Sequence, residues 1–273
     1  MIENLSSLVS QVNGTIVVDN GSSPQELDAL RTMSLRCGVK LIENGWNVGL
    51  AEALNQGVRR ALQDDFEWVI LFDQDSELTP DFVDEMFATW DRHPQRGRIG
   101  SIHPRYVDPV TGRESSILRA EDGGPFKSMT SGALMPAWIF DKVGFFASEY
   151  FIDEIDSEYC LRIRAAGYLV ADSDRAVLRH HTGNPEPCSI MGFTFRPTHH
   201  SAIRRYYMTR NRVVVYRKYL PVFPRCILHS AYESFRETLK CFLGERDRVR
   251  KFRNFLLGTW DGLLGRMGPR EGL

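Results

Sequence analysis

With 273 residues the chain is long enough for one sizeable α/β domain plus a helical appendage. A composition of 42% hydrophobic and 25% charged residues, with a net charge of −1, excludes a disordered, collagen-like or disulfide-stapled protein. The 5 cysteines, Cys37, Cys160, Cys188, Cys226 and Cys241, include no C-x-x-C pair, which favours free thiols in a reducing compartment and disfavours zinc at Cys188 near His180 and His181.

The predicted elements alternate. Thr15 to Val18 is a short β-branched strand, and Asp19-Asn20-Gly21-Ser22-Ser23-Pro24 is a loop leading into a helix over Gln25 to Cys37. Val39 to Ile42 is a second strand. Asn47-Val48-Gly49 opens a helix to Leu62, whose Leu50, Ala53, Leu54, Val58 and Ala61 recur at helical spacing. Trp68 to Phe72 is an apolar strand, Pro80 starts a helix reaching Trp90, and Ile99 begins the next strand. A polar, Gly-rich excursion fills Pro104 to Pro125. Short strands follow at Tyr168 to Ala171 and Ala176 to Leu178, and helices dominate from Ser201 onward. This order predicts an α/β fold, a mostly parallel sheet flanked by helices, with a catalytic domain over 1–200 and a helical region over 201–273. No apolar run approaches the roughly 18 residues of a membrane span, and no signal peptide is evident, so a cytoplasmic location is expected.

The chemistry concentrates at strand ends. Asp73 and Asp75 close the Trp68 strand, and residues two apart in an extended backbone point to one side. Both carboxylates can therefore converge on a divalent cation, Mg²⁺ or Mn²⁺, completed by substrate phosphates. A plain capped turn is the competing reading. In an open sheet the loop after Asp19 should face the same crevice; Asp19 can bind a base or sugar, and Asn47 a ribose or phosphate. Neither a dinucleotide G-x-G-x-x-G nor a Walker A loop is present.

Downstream, Asp153, Glu154, Asp156 and Glu158 crowd the start of an amphipathic turn. Glu158 can pair with Arg162 at i,i+4, which leaves Asp153, Glu154 and Asp156 as candidates for a carboxylate base. His180, after the next strand, could complete the metal shell.

Charge is distributed unevenly: residues 204–273 carry 16 Lys/Arg against 6 Asp/Glu. A basic, partly apolar helical end could rest on anionic headgroups, giving peripheral membrane contact through residues such as Arg246, Arg248, Arg250 and Lys251. No motif accompanies the charge that would suggest nucleic acid.

Taken together, IVVDNGSS at Ile16 to Ser23, ENGWNVGLAEALNQGV at Glu43 to Val58, WVILFDQD, SGALMP at Ser131 to Pro136, FIDEIDSEYCLRIRAAGY, HHTG, YYMTRNRVVVYRKY and GTWDGLLGRMG occur in an order that resembles the inverting glycosyltransferases of family 2. Within that family the chain is similar to bacterial rhamnosyltransferases of surface-polysaccharide and O-antigen synthesis. The resemblance implies a GT-A fold, a nucleotide-sugar donor such as dTDP-L-rhamnose, a saccharide or lipid-linked acceptor, and a divalent metal. It further implies that Asp19 contacts the base, Asn47 lines the nucleotide pocket, Asp73 and Asp75 form the D-x-D pair with Asp75 the direct ligand, and His180 also binds metal. Asp156 matches the catalytic base, and Arg210 with Asn211 matches a pair facing the diphosphate or acceptor.

Members of the family usually open with a strand and a Thr-Tyr-Asn type loop, whereas Met1 to Leu5 already resembles the first helix. That departure predicts an incomplete nucleotide pocket and weak or no activity. Two other classes compete: a catalytically impaired nucleotide-binding or membrane-docking protein, and a phosphatase whose first D-x-D aspartate is a nucleophile.

Overall fold

A computed structural model describes residues 7–74, 76–180, 188–190, 193–195, 199–245 and 247–270. The chain forms two compact units, one of Met1–Ser148 with Tyr159–His181, the other of Glu149–Glu158 with Thr182–Leu273.

In the first unit the strands Ile16–Asp19 (β1) and Lys40–Glu43 (β2) pair in parallel, Asp19 lying opposite Glu43. Between them runs helix α1, Pro24–Cys37, started by a capping box: the Ser23 hydroxyl accepts from the Glu26 amide while the Glu26 carboxylate accepts from the Ser23 amide. Helix α2, Leu50–Gln63, buries Ala51, Ala53, Val58 and Ala61. Asn55 on that helix is buried too, exchanging hydrogen bonds with both the amide and carbonyl of Phe146 at 2.9 and 2.8 Å.

A separate five-stranded sheet contains Trp68–Ile70 (β3), Glu77–Leu78 (β4), Ile99–Val107 (β5), Leu134–Pro136 (β6) and Leu169–Arg179 (β7), in the order β3-β6-β5-β7-β4. Its directions are more mixed than strand–helix alternation suggests. β5 and β7 are parallel, but β3/β6, β5/β6 and β4/β7 are antiparallel. The reason lies in the connections: no helix carries the chain back over the sheet between β5 and β6, so β6 returns in the opposite sense. Among the described residues β1 and β3 each have one strand neighbour, so each keeps an open edge. The two short strands expected after Tyr168 are one continuous strand, β7. β5 runs through Pro104, whose missing N–H coincides with a register shift between His103 and Arg105.

Helix α3, Phe82–Arg92, covers this sheet with Phe82, Val83 and Met86 against Ile99, Ile102, Leu134 and Leu178. Helix α4, Trp138–Val143, follows β6. Helix α5, Ile155–Ala165, gives its first residues to the second unit and the rest to the first.

The second unit contains a two-stranded antiparallel ribbon, Cys188–Ile190 (β8) with Phe193–Phe195 (β9), and three helices: Ala202–Tyr219 (α6), Pro224–Gly244 (α7) and Arg248–Leu264 (α8). α6 and α8 approach so closely that a Cβ on Gly258 would lie 2.5 Å from the Tyr206 carbonyl, and one on Gly262 2.7 Å from that of Arg210. Gly258 and Gly262 of GTWDGLLGRMG are therefore a packing requirement. Lys251, counted with the surface cations from sequence, is instead buried and ion-paired with buried Glu245. The cause is helical phase, because Lys251 shares the α6-facing side of α8 with Asn254 and Gly258. Arg246 lies outside the described residues. No described helix is long and apolar enough to cross a membrane.

Strand β5, in the sheet of the first unit, carries a buried titratable group. His103 places Nδ1 2.9 Å from the Met129 carbonyl and Nε2 3.0 Å from the Ser101 hydroxyl. A carbonyl only accepts, so Nδ1 carries the proton and Nε2 receives the Ser101 hydroxyl, the pattern of a neutral imidazole. Burial lowers its pKa from 6.5 to about 4, with the Met129 carbonyl opposing. The unfolded chain therefore takes up this proton first as pH falls, and stability is lost between pH 6.5 and about 4, by roughly 3 kcal/mol. Urea unfolding at neutral pH and at the acid end of that window should show a smaller acid loss for His103→Gln than for the native chain; equal losses would refute the assignment.

Candidate active site

The first unit supplies loops at strand ends. Asp19, the last residue of β1 and 3% exposed, accepts from the Gly21 and Ser22 amides, both at 3.2 Å, so its carboxylate shapes the loop that follows it. Gly21 has φ +92°, and a Cβ there would fall 2.8 Å from the Asn47 amide nitrogen, so only glycine fits. Asn20 and Asn47 then tie the β1 and β2 loops together. Asn20 Nδ2 donates to Asn47 Oδ1 at 3.1 Å, Asn20 Oδ1 accepts from the Val48 amide at 2.9 Å, and Asn47 Oδ1 also accepts from the Gly49 amide at 2.9 Å. These bonds link the NGSS and WNVG motifs into one ledge.

At the end of β3, the amide of Asp73 donates to Ser131 Oγ at 3.1 Å. Ser131 Oγ lies 2.6 Å from Ser76 Oγ, and Ser76 Oγ lies 3.5 Å from His180 Nδ1. The strand pairing explains the meeting: Glu77 of β4 is opposite Arg179 of β7, which sets Ser76 beside His180. Three distant motifs, FDQD, SGALMP and HHTG, thus share one hydrogen-bonded chain. Tyr106 Oη anchors the middle motif, lying 3.0 Å from both the Met129 and the Ser131 carbonyl, which share its one hydrogen. Ser76 and Ser131, 3% and 1% exposed, were given no role from sequence. Their only signal is position, one next to the D-x-D pair and one opening SGALMP. Asp75 and His181 lie outside the described residues.

The second unit holds the acidic cluster. Phe151, Asp153 and Glu154 have φ of +63°, +63° and +61°, left-handed conformations that cost non-glycine residues energy and persist only when surroundings enforce them. α6 provides that enforcement. Asn211 Nδ2 lies 3.0, 2.7 and 2.9 Å from the carbonyls of Tyr150, Ile152 and Asp153. An amide has two hydrogens, so these carbonyls share them. Arg210 donates to the Tyr150 carbonyl, to Gly268 and to Asn211 Oδ1. Arg210 is 1% exposed and Asn211 0%, and these contacts direct both side chains onto the loop's backbone.

The carboxylates divide by partner. Arg204 grips Asp153 at 2.9 Å, and Arg212 meets Glu154 at 2.9 Å and Glu237 at 2.9 Å. Glu158 Oε1 accepts from Lys218 Nζ and Tyr219 Oη, each at 2.8 Å. Burial by itself would depress Arg212, but Glu154 and Glu237 outweigh it and hold the guanidinium above its ordinary pKa. Burial likewise pushes Glu237 up, yet Arg212 and Arg205 keep it below the usual carboxylate range. Asp156, in the first turn of α5, accepts from the Ser157 amide at 2.7 Å. Of the candidates for a base, Asp153 and Glu154 are thus committed to arginines of α6.

Known proteins resemble this chain in sequence and fold. A Shigella flexneri protein described as dTDP-rhamnosyl transferase RfbF is 29% identical over 287 residues, covering 98% of this chain and 93% of that protein. Among solved structures, a Pyrobaculum calidifontis mannosyltransferase, in complex with GDP-Man and Mn²⁺, superposes with a TM-score of 0.59 at 16% identity over 97% of this chain and 83% of its own. TarS 1–349 of S. aureus gives a TM-score of 0.55 at 11% identity, over 97% of this chain and 68% of its own. These likenesses establish the GT-A fold. The profile described as Glycosyl transferase family 2 matches residues 2–152, over half of the sequence, and the chain belongs to that family.

Proposed function

We propose that the protein is an inverting rhamnosyltransferase, moving L-rhamnose from dTDP-L-rhamnose to a saccharide or lipid-linked acceptor in bacterial surface-polysaccharide synthesis. The observation that carries this reading is the end-to-end likeness to a protein described as a dTDP-rhamnosyl transferase, 98% of one chain on 93% of the other.

In this reading Asp19 and Asn47 hold the nucleotide, on the ledge that their own hydrogen bonds build. Asp156 takes the proton from the acceptor hydroxyl, whose oxygen attacks the anomeric carbon opposite the leaving diphosphate, inverting the centre in one displacement. Arg210 and Asn211 act as positioning residues, because their bonds run to the backbone that leads into Asp156.

The donor set fits Mg²⁺ or Mn²⁺. Asp75 and His180 would hold the ion, with Asp73 beside them and diphosphate oxygens completing the shell. The fit rests on the chemistry of the donors, carboxylates and an imidazole, with the His180 ring held 3.5 Å from Ser76 Oγ in the hydrogen-bonded line that starts at the Asp73 amide. When bound, the ion would neutralise charge developing on the departing diphosphate. Ser131 and Ser76 link the Asp73 backbone to His180.

Donor titration and transfer assays separate these roles. Asp75→Asn should lose metal-dependent donor binding, whereas Asp156→Asn should keep donor affinity and lose transfer by about 10² to 10⁴. Normal transfer by both variants would sink the assignment. Asn211→Ala should cost about 1–3 kcal/mol in urea unfolding, since it strands buried carbonyls. The same variant should lower kcat while leaving the donor KM near its native value; a rise in donor KM with kcat intact would instead put Asn211 on the donor.

A further inference from the structure

Helix α8 carries an outward surface that none of these roles uses. Val249, Phe252, Leu256, Trp260 and Leu263 recur at helical spacing, and each is at least 49% exposed. On a regular helix they occupy a sector about 80° wide. Arg253 borders that sector on one side with Arg250 beyond it, and Arg248 borders it on the other; all three are exposed. The helix's one carboxylate, Asp261, is 3% exposed and accepts from Tyr206 Oη at 2.8 Å. The outward charge of α8 is therefore positive throughout. α7 also exposes apolar residues, but Glu233 pairs with Arg236 there, so its surface lacks the same sign preference.

Charge chooses the occupant. A second copy of α8 would set arginine against arginine around the apolar stripe, which like charges disfavour. An anionic bilayer offers negative headgroups to the arginines, an acyl boundary to Phe252 and Leu256, and an interfacial layer suited to Trp260. The 17-residue helix is too polar to span a membrane and is shaped to lie on one.

We infer that α8 docks the protein on an anionic phospholipid surface, its axis in the headgroup plane and the Val249 to Leu263 stripe turned into the lipid. The inference deepens the lipid-linked acceptor reading, yet it is measured without any transfer step. The test is cosedimentation of the full chain with phosphatidylcholine vesicles, with and without phosphatidylglycerol. The native protein should bind only the anionic vesicles, and salt should weaken it. Arg250→Glu with Arg253→Glu should lower partitioning on the order of tenfold or more. Leu256→Ser with Trp260→Ser should lower it at low and high salt alike. Both pairs are exposed, thermal melts check their folding, and the arginine pair alone decides the question if the apolar pair does not fold. Equal binding to neutral vesicles, no binding, or unchanged binding by the charge variant would overturn the inference. So would a native dimer that dissociates in the Leu256/Trp260 variant without vesicle binding, which would assign the face to a second copy. Loss of vesicle binding with transfer to a soluble acceptor intact removes only the docking. Vesicle binding without rhamnosyl transfer removes only the enzymatic reading.

Discussion

The acidic segment ahead of α5 depends on one buried amide. Phe151, Asp153 and Glu154 all occupy left-handed backbone conformations, each costing of order 1–3 kcal/mol for such residues. What offsets that strain is Asn211, which reaches the carbonyls of Tyr150, Ile152 and Asp153 from the fully buried side of α6. Neutralisation of Asp153 by Arg204 and of Glu154 by Arg212 removes the repulsion that packing so many carboxylates would otherwise create. Asp156 is thereby delivered at a helix start by a loop that is shaped from beneath.

The first unit solves a comparable problem with hydroxyls. A line of contacts from the Asp73 amide through Ser131 and Ser76 to His180 joins strand ends that are far apart in sequence. Small side chains suit this task because they reach between neighbouring loops without occupying the space a ligand would need. Polar groups buried in this way are stabilising only while each has a partner.

Charge follows the same division of labour. Arginines of α6 serve the acidic loop, and the Lys251 ammonium is consumed by Glu245, while Arg250 and Arg253 remain on the outer face of α8. A count of basic residues along the tail mixes these populations, although they do different things. Helical phase separates them: positions toward α6 are structural, and positions opposite meet whatever lies outside.

Much of this was legible in the order of residues. Alternation of β-branched runs with amphipathic helices gave the α/β class, because periodicity is a local property that each segment carries alone. The D-x-D pair and His180 were visible as chemistry placed at the ends of apolar strands, and the acidic cluster as carboxylates crowded at the start of an amphipathic helix. Other features needed the folded chain. The antiparallel entry of β6 and β4 depends on where connections cross the sheet, and the relay through Ser76 and Ser131 depends on β4 pairing with β7. For Arg210 and Asn211 the family resemblance implies a place facing the diphosphate or acceptor; their bonds to the carbonyls of the acidic loop are visible only in the tertiary packing. Sequence pattern determines which residues lie on a face, since that follows from backbone period; which partner the face meets is set by non-local pairing, and there the tertiary structure decided.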